Sequence, residues 1–171
     1  PHIYADNLRD LTVAQGFVMA RDRYVQIELT RRFGRGTLSE LLGPLGVSID
    51  ADSRGQGVRF VSDAMWAAAD EELKDRFEAF AEGVNLYIRE VKRGRFPLPE
   101  EVELVASLTD IDDPKDALQP ITGIDVAGVA AVITSRLGYE SSDLDRAEAR
   151  ALAEAATSTQ SAQPDLWKAG L

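Results

Sequence analysis

The sequence predicts a mainly α chain, and three observations carry that prediction. Apolar residues recur near every 3.6 positions over long stretches, the final third is rich in strong helix formers, and convincing strand signals are scarce. With 171 residues, 44% hydrophobic and 28% charged, the chain is long enough for one real core and has the composition of an ordinary globular protein. Only the first few residues and the stretch 58–61 have the character to extend.

Asp10 is the expected N-cap of a first long helix, in which Leu11, Ala14, Val18, Val25 and Leu29 form the stripe. Phe17, Tyr24, Ile27 and Phe33 widen it, so this helix should pack on more than one side. Charged residues inside so apolar a helix must be paired when buried, which makes Asp22, Arg23, Glu28 and Arg31 candidates for an ion-pair network. Gly34 and Gly36 end the helix, and Thr37 is placed to cap a short second one reaching Gly43-Pro44. Residues 44–61, with Gly46, Gly55 and Gly57, read as irregular.

A helical pattern resumes at Ser62. Phe77, Phe80, Ala81, Val84, Tyr87, Ile88 and Val91 share one face, opposite Glu78, Glu82, Arg89 and Glu90. Gly83 inside this helix costs about 1 kcal/mol relative to alanine, which implies a close helix contact there. Pro97, Pro99, Pro114 and Pro120 mark a long connection. Thr122 and Asp125 form a capping-box pattern for a third helix through about Leu137, and Asp143 opens a fourth to about Ala156. Residues 1–156 thus read as one helical domain and 157–171 as a polar tail or processing linker.

A formal charge of −10 and a sequence pI near 4.6 argue against nucleic acid as a partner, and Arg31, Arg32 and Arg35 read as an ion-paired or solvated helix end. The longest apolar run, Val126 to Ile133, falls far short of the roughly 20 residues of a membrane span, so no membrane partner is expected. Without cysteine, thiol catalysis and zinc-thiolate sites are excluded on this chain. The single histidine, His2, would have to serve any serine triad, and no serine elbow, phosphate loop or His-x-x-x-His pair occurs. Taken alone, the residues describe a helical domain without its own catalytic machinery. The chain begins inside what looks like a structured segment, so a preceding portion is expected, either cleaved or lying outside this sequence.

Several motifs nonetheless share one pattern. Pro1-His2-Ile3-Tyr4-Ala5, Ala20-Arg21-Asp22-Arg23 with Gln26 and Glu28, Arg31-Arg32, Gly36, Glu40-Leu41-Leu42-Gly43 and Gly83-Val84-Asn85 together resemble the small α subunit of the penicillin acylase family of N-terminal-nucleophile hydrolases. The resemblance implies the α subunit of an αββα heterodimer, whose β subunit comes from the same self-cleaving precursor. In that family the β chain begins with the nucleophilic serine, so no catalytic residue is expected here and no histidine is needed. It further implies that Ile133, Arg136 and Leu137 line one wall of the pocket for a small-molecule acyl amide substrate. The family's phenylalanine after the arginine is replaced here by Leu137, which leaves aliphatic or long acyl chains open. Ile133 and Leu137 as simple core, and Arg136 paired with Glu140, are the structural alternatives.

Asp143 aligns with an acidic residue that gives an oxygen to a structural calcium shared with the β chain, although it also suits a helix N-cap. A periplasmic or secreted location follows from the same resemblance. Within the enzyme reading, penicillin-type substrates and N-acyl homoserine lactones compete. The rival outside it is a non-catalytic helical interaction module.

Overall fold

The computed structural model describes residues 2–107, 109, 111–138 and 142–158, without the side chains of 138, 142–145 and 156–158. Every regular element among the described residues is helical: α1 (Leu8–Arg35), α2 (Ser39–Leu42), α3 (Pro44–Gly55), α4 (Val58–Ala68), α5 (Glu71–Lys92), α6 (Glu100–Ser107), a 3-10 turn (Pro114–Ala117), α7 (Gly123–Gly138) and α8 (Ser142–Ser158). The mainly α expectation is met. The chain divides between Leu137 and Gly138 into two compact units. In the second, α8 is exposed along 146–155 and carries an Arg150–Glu154 ion pair of 3.1 Å.

Helix α1 starts earlier than the sequence suggested. Its N-cap is Asn7, in extended backbone, whose side-chain oxygen accepts the Asp10 N–H at 2.8 Å. Asn7 Nδ2 donates back to the Asp10 carboxylate at 2.8 Å, so Asp10 is the reciprocal partner of the cap rather than the cap. The 28-residue helix is interrupted once, at Arg23, where φ −148° and ψ 29° leave the helical region. It ends at Gly36, whose φ of 65° is the left-handed conformation that glycine adopts without penalty. The N–H groups of Gly36 and Thr37 close on the Phe33 and Arg32 carbonyls. Thr37 therefore serves through its backbone, and α2 has no side-chain cap from it.

The dominant packing is α1 against α5, and it runs backbone to backbone. A Cβ built on Gly83 would lie 2.0 Å from the Val13 carbonyl oxygen, and one on Gly16 would lie 2.2 Å from that of Phe80. Each helix thus presents a glycine to the other's main chain, as the unfavourable Gly83 had implied. Around this crossing Ala20, Tyr24, Ile27, Ala81, Val84, Tyr87, Ile88 and Val91 form the core, joined by Val102, Leu118 and Ile121. Each large member stabilises the fold by about 1.5–3 kcal/mol on burial. Phe17, Tyr87 and Phe96 meet edge-on at 5.6–6.1 Å between centroids. Glu90, expected on the solvated face, is buried between Arg93 and Arg95.

Residues 44–61 are not irregular. Gly43 turns the chain with φ 57°, Pro44 begins α3 at a position where its missing N–H costs nothing, and 58–61 begin α4. The glycines that suggested irregular backbone sit at helix ends and contacts. The buried Asp50 fastens α3 to α2 by accepting the N–H groups of Leu38 (2.7 Å) and Ser39 (2.8 Å) and the Ser39 hydroxyl (2.5 Å). Burial works against the charged carboxylate, but these three donors hold its pKa below the ordinary aspartate value.

The proline-rich connection carries α6 and the 3-10 turn, and its end is pinned in two places. Asn85 Nδ2 donates to the Ile121 carbonyl at 2.7 Å, and the Ile121 N–H donates to Asn85 Oδ1 at 2.9 Å. The Tyr24 hydroxyl accepts the Gln119 N–H at 2.9 Å. Burial first, and then the nearby Glu28 charge, push the Tyr24 phenol well above its ordinary pKa, so it stays neutral. These pins deliver the chain to the start of α7.

Candidate functional site

Helix α7 carries the three residues expected to line a pocket, and its placement rests on charge. Asp125 Oδ2 accepts the Thr122 N–H (2.9 Å) and hydroxyl (2.8 Å), which is half of the expected capping box, while the Asp125 N–H donates to the Thr122 carbonyl at 3.0 Å. Its other oxygen pairs with Arg35 of α1 and lies 3.7 Å from Arg31 Nη1. Arg31 also clasps Glu28 with two hydrogen bonds of 2.8 and 2.7 Å, and Arg32 Nε reaches the same carboxylate at 2.7 Å. Burial opposes the Arg31 charge, but the Glu28 hydrogen bonds and charge outweigh it and raise its pKa.

The buried network expected from the sequence therefore exists, with different members. Glu28 and Arg31 belong to it, together with Arg32, Arg35 and Asp125. Asp22 and Arg23 do not: Asp22 pairs at the surface with Arg21 (2.9 Å), and Arg23, at the helix interruption, reaches Gln26 (3.2 Å). The interruption falls at Arg23 itself, beside Asp22, and both residues are exposed.

Close packing completes the seat of α7. A Cβ on Gly34 would meet Val132 Cγ2 at 3.0 Å and the Gly128 carbonyl oxygen at 3.5 Å, so α1 and α7 touch through small residues. Directly after Val132, Ile133 is 51% exposed, and one turn further Leu137 is 85% exposed. At a spacing of one helical turn they share a face, and neither is core of this chain. Between them Arg136 lays its guanidinium over the Phe33 ring, 4.9 Å from the centroid, a cation–π contact worth about 0.5–1 kcal/mol at such a site. The structure thus brings Ile133, Arg136 and Leu137 together as an apolar ledge with a cation held on an aromatic ring.

Phe33 was not singled out in the sequence, where it was one of several residues widening the α1 stripe. Its signal was the following Gly34, which lets α7 approach closely enough for the stacking. The Arg136–Glu140 alternative and the side chain of Asp143 lie outside the described residues, and Ser142, preceding Asp143, begins α8. Among the described residues no group of three His, Asp or Glu side chains is placed to hold a metal ion. His2 is exposed, and no described helix is long and apolar enough to cross a membrane.

Comparison with known proteins sharpens this picture. The family model for penicillin amidase matches residues 1–168. Penicillin G acylase of Escherichia coli is 36% identical over 91 residues, which is 53% of this chain and 11% of that protein. Penicillin acylase 2 proenzyme of Pseudomonas sp. (strain SE83) is 36% identical over 107 residues, covering 63% and 13%. Acyl-homoserine lactone acylase QuiP of Pseudomonas aeruginosa is 33% identical over 88 residues, covering 52% and 10%. The matches thus span only about a tenth of the length of these relatives. Among solved structures, the thermostable penicillin G acylase from Alcaligenes faecalis superposes with a TM-score of 0.69 at 26% identity, over 90% of this chain and 77% of that one.

Proposed function

The chain belongs to the penicillin amidase family, and from that premise we propose that it is the small α subunit of an acylase that hydrolyses a linear amide. The carrying observation is one of size. The matches reach only 10–13% of the curated relatives, yet the chain covers 77% of a separate chain in a solved acylase. A piece that is a small part of a proenzyme and most of one solved chain has the proportions of a processed subunit.

In this reading the nucleophile is the N-terminal serine of a β chain, whose own α-amino group takes the hydroxyl proton. The serine attacks the amide carbonyl, the amine leaves with the proton, and water releases the acid from the acyl-enzyme. This chain supplies none of those atoms. Its part is to receive the acyl group: Ile133 and Leu137 offer one apolar wall, and Arg136, steadied on Phe33, brackets it. A structural calcium with Asp143 as one oxygen donor, and export to the periplasm or beyond, belong to the same proposal and rest on the family resemblance.

The aliphatic pair favours linear acyl chains, which gives weight to a second substrate class, the N-acyl homoserine lactones on which the relatives named QuiP act. The experiment is purification followed by mass spectrometry and a hydrolysis screen. A larger co-purifying chain beginning with serine, and release of amine from acyl amides, support the proposal. A lone stable 18.7 kDa chain with no hydrolytic activity would instead favour a non-catalytic interaction module. Comparing arylacetyl with straight-chain acyl amides decides between the two substrate classes.

A further inference from the structure

Helix α4 is apolar on two opposite sides, and the chain uses only one of them. The inner side buries Val58 and Ser62. A Cβ on Gly128 of α7 would lie 3.2 Å from Ser62 Oγ, and the Trp66 ring stacks on Phe77 of α5 at 6.4 Å between centroids. The outer side carries Phe60, Ala64 and Ala67 at helical spacing, with Val61 and Ala68 beside them, and all five are exposed. Arg59 and Asp63, 4.0 Å apart, border this stripe.

Helix α3, joined to α4 by Gln56 and Gly57, is turned the same way. Its buried positions are Gly46, Asp50 and Ser53, whereas Leu45, Val47 and Ile49 are exposed. Leu45 and Ile49, four residues apart, share one side. Single apolar residues scattered over a surface are ordinary. Two consecutive helices that leave Leu45 (81% exposed) and Phe60 (78%) in water while burying Asp50, Ser53 and Ser62 are not. A helix apolar on both sides belongs between two layers, and among the described residues nothing covers the outer side of α4.

We infer that the outward side of α3 and α4 seats a larger polypeptide cut from the same precursor, an inference that rests on the α/β reading. The size of the relatives favours this occupant: the matches span only 10–13% of them, so most of such a protein lies outside this chain. A lipid surface would call for a basic polar face, but residues 44–68 hold two Arg, no Lys and three Asp. A second copy would bring together two chains of formal charge −10, which repel each other.

Two measurements on the purified assembly test the inference. Hydroxyl-radical footprinting of the unsubstituted protein compares labelling of Phe60 and Leu45 with that in urea-unfolded material. Coverage by the larger chain should slow both at least fivefold, whereas the exposure of the two residues on this chain by itself would leave them nearly unprotected. The chain has no cysteine, so Phe60→Cys gives it a single site for a maleimide–benzophenone crosslinker. Glu71→Cys, at a side chain 93% exposed on polar surface, is the control. The Phe60→Cys label should join the larger chain at least fivefold more efficiently than the Glu71→Cys label. Footprinting needs no substitution and decides the case if the probe hinders assembly. A larger chain that co-purifies while Phe60 stays unprotected overturns the inference and leaves the α/β reading standing. A crosslinked product of twice 18.7 kDa overturns it in favour of a second copy. A chain that purifies with no partner removes the α/β reading and the inference together.

Discussion

The two halves of α1 are held by opposite physics. Before Arg23, the helix meets α5 through Gly16 and Gly83, where main-chain atoms take the place of side chains and the buried neighbours are apolar, with Arg9 pairing to Asp75 and Glu82 only at the surface. After Arg23, the same helix meets α7 through Glu28, Arg31, Arg35 and Asp125, with charges buried and paired. The first contact is complete within this chain. The second ends beside the exposed Ile133 and Leu137, groups that the chain by itself leaves in water. The difference teaches that one half of the helix builds the scaffold while the other is prepared for something further.

Breaking the charged half should cost most. Glu28→Gln leaves Arg31 and Arg32 without their shared buried carboxylate, and a loss of about 3–5 kcal/mol is expected from urea unfolding of the assembled protein. Next comes the apolar half. Gly83→Ala drives a methyl into the Val13 carbonyl, and because main chain rather than a flexible side chain must yield, a loss near the upper end of about 1–3 kcal/mol is expected in the same measurement. If Gly83→Ala proved harmless, the claim that this crossing is fixed by backbone contact would fail.

Asp50 provides a control remote from both contacts. Its folded pKa lies below the unfolded value, so its stabilisation is full above about pH 4 and is lost as pH falls through the folded value. Asp50→Asn should cost about 1–2 kcal/mol at pH 7, and the acid limb of a stability–pH profile should become flatter than in the parent. The smallest stability effect belongs to the ledge. Phe33→Leu removes the ring under Arg136 at a cost of about 0.5–1 kcal/mol. Under the proposed function both Phe33→Leu and Arg136→Ala should change the kcat/KM ratio between arylacetyl and straight-chain amides several-fold. A ratio unchanged in both would detach the ledge from substrate choice.

Much of the fold was legible because periodicity reports burial directly. The α5 face, the close contact at Gly83 and the Thr122–Asp125 cap all follow from spacing and residue type. What periodicity could not show was partnership across the sequence. Asp50 looked like one more polar residue in a glycine-rich stretch, yet three donors from α2 converge on it. Asp125 read only as a local cap, although its second oxygen ties α7 to α1. Glycine frequency misled over 44–61, since glycines at helix ends and at contacts look the same in sequence as glycines in loops. The ledge residues were found by resemblance. Their ring partner Phe33 was not, because it lies about a hundred positions away and the adjacent Gly34 read only as a helix end.

The interruption at Arg23 has a mechanical consequence. An unbroken helix of this length would be a straight strut of about 42 Å, and any tilt of one end would be levered to the other. With the hydrogen-bonded ladder disturbed near its middle, the strut becomes two shorter beams joined at a knuckle. Each beam can be tuned to its own neighbour, so wear or redesign at one end need not misalign the other.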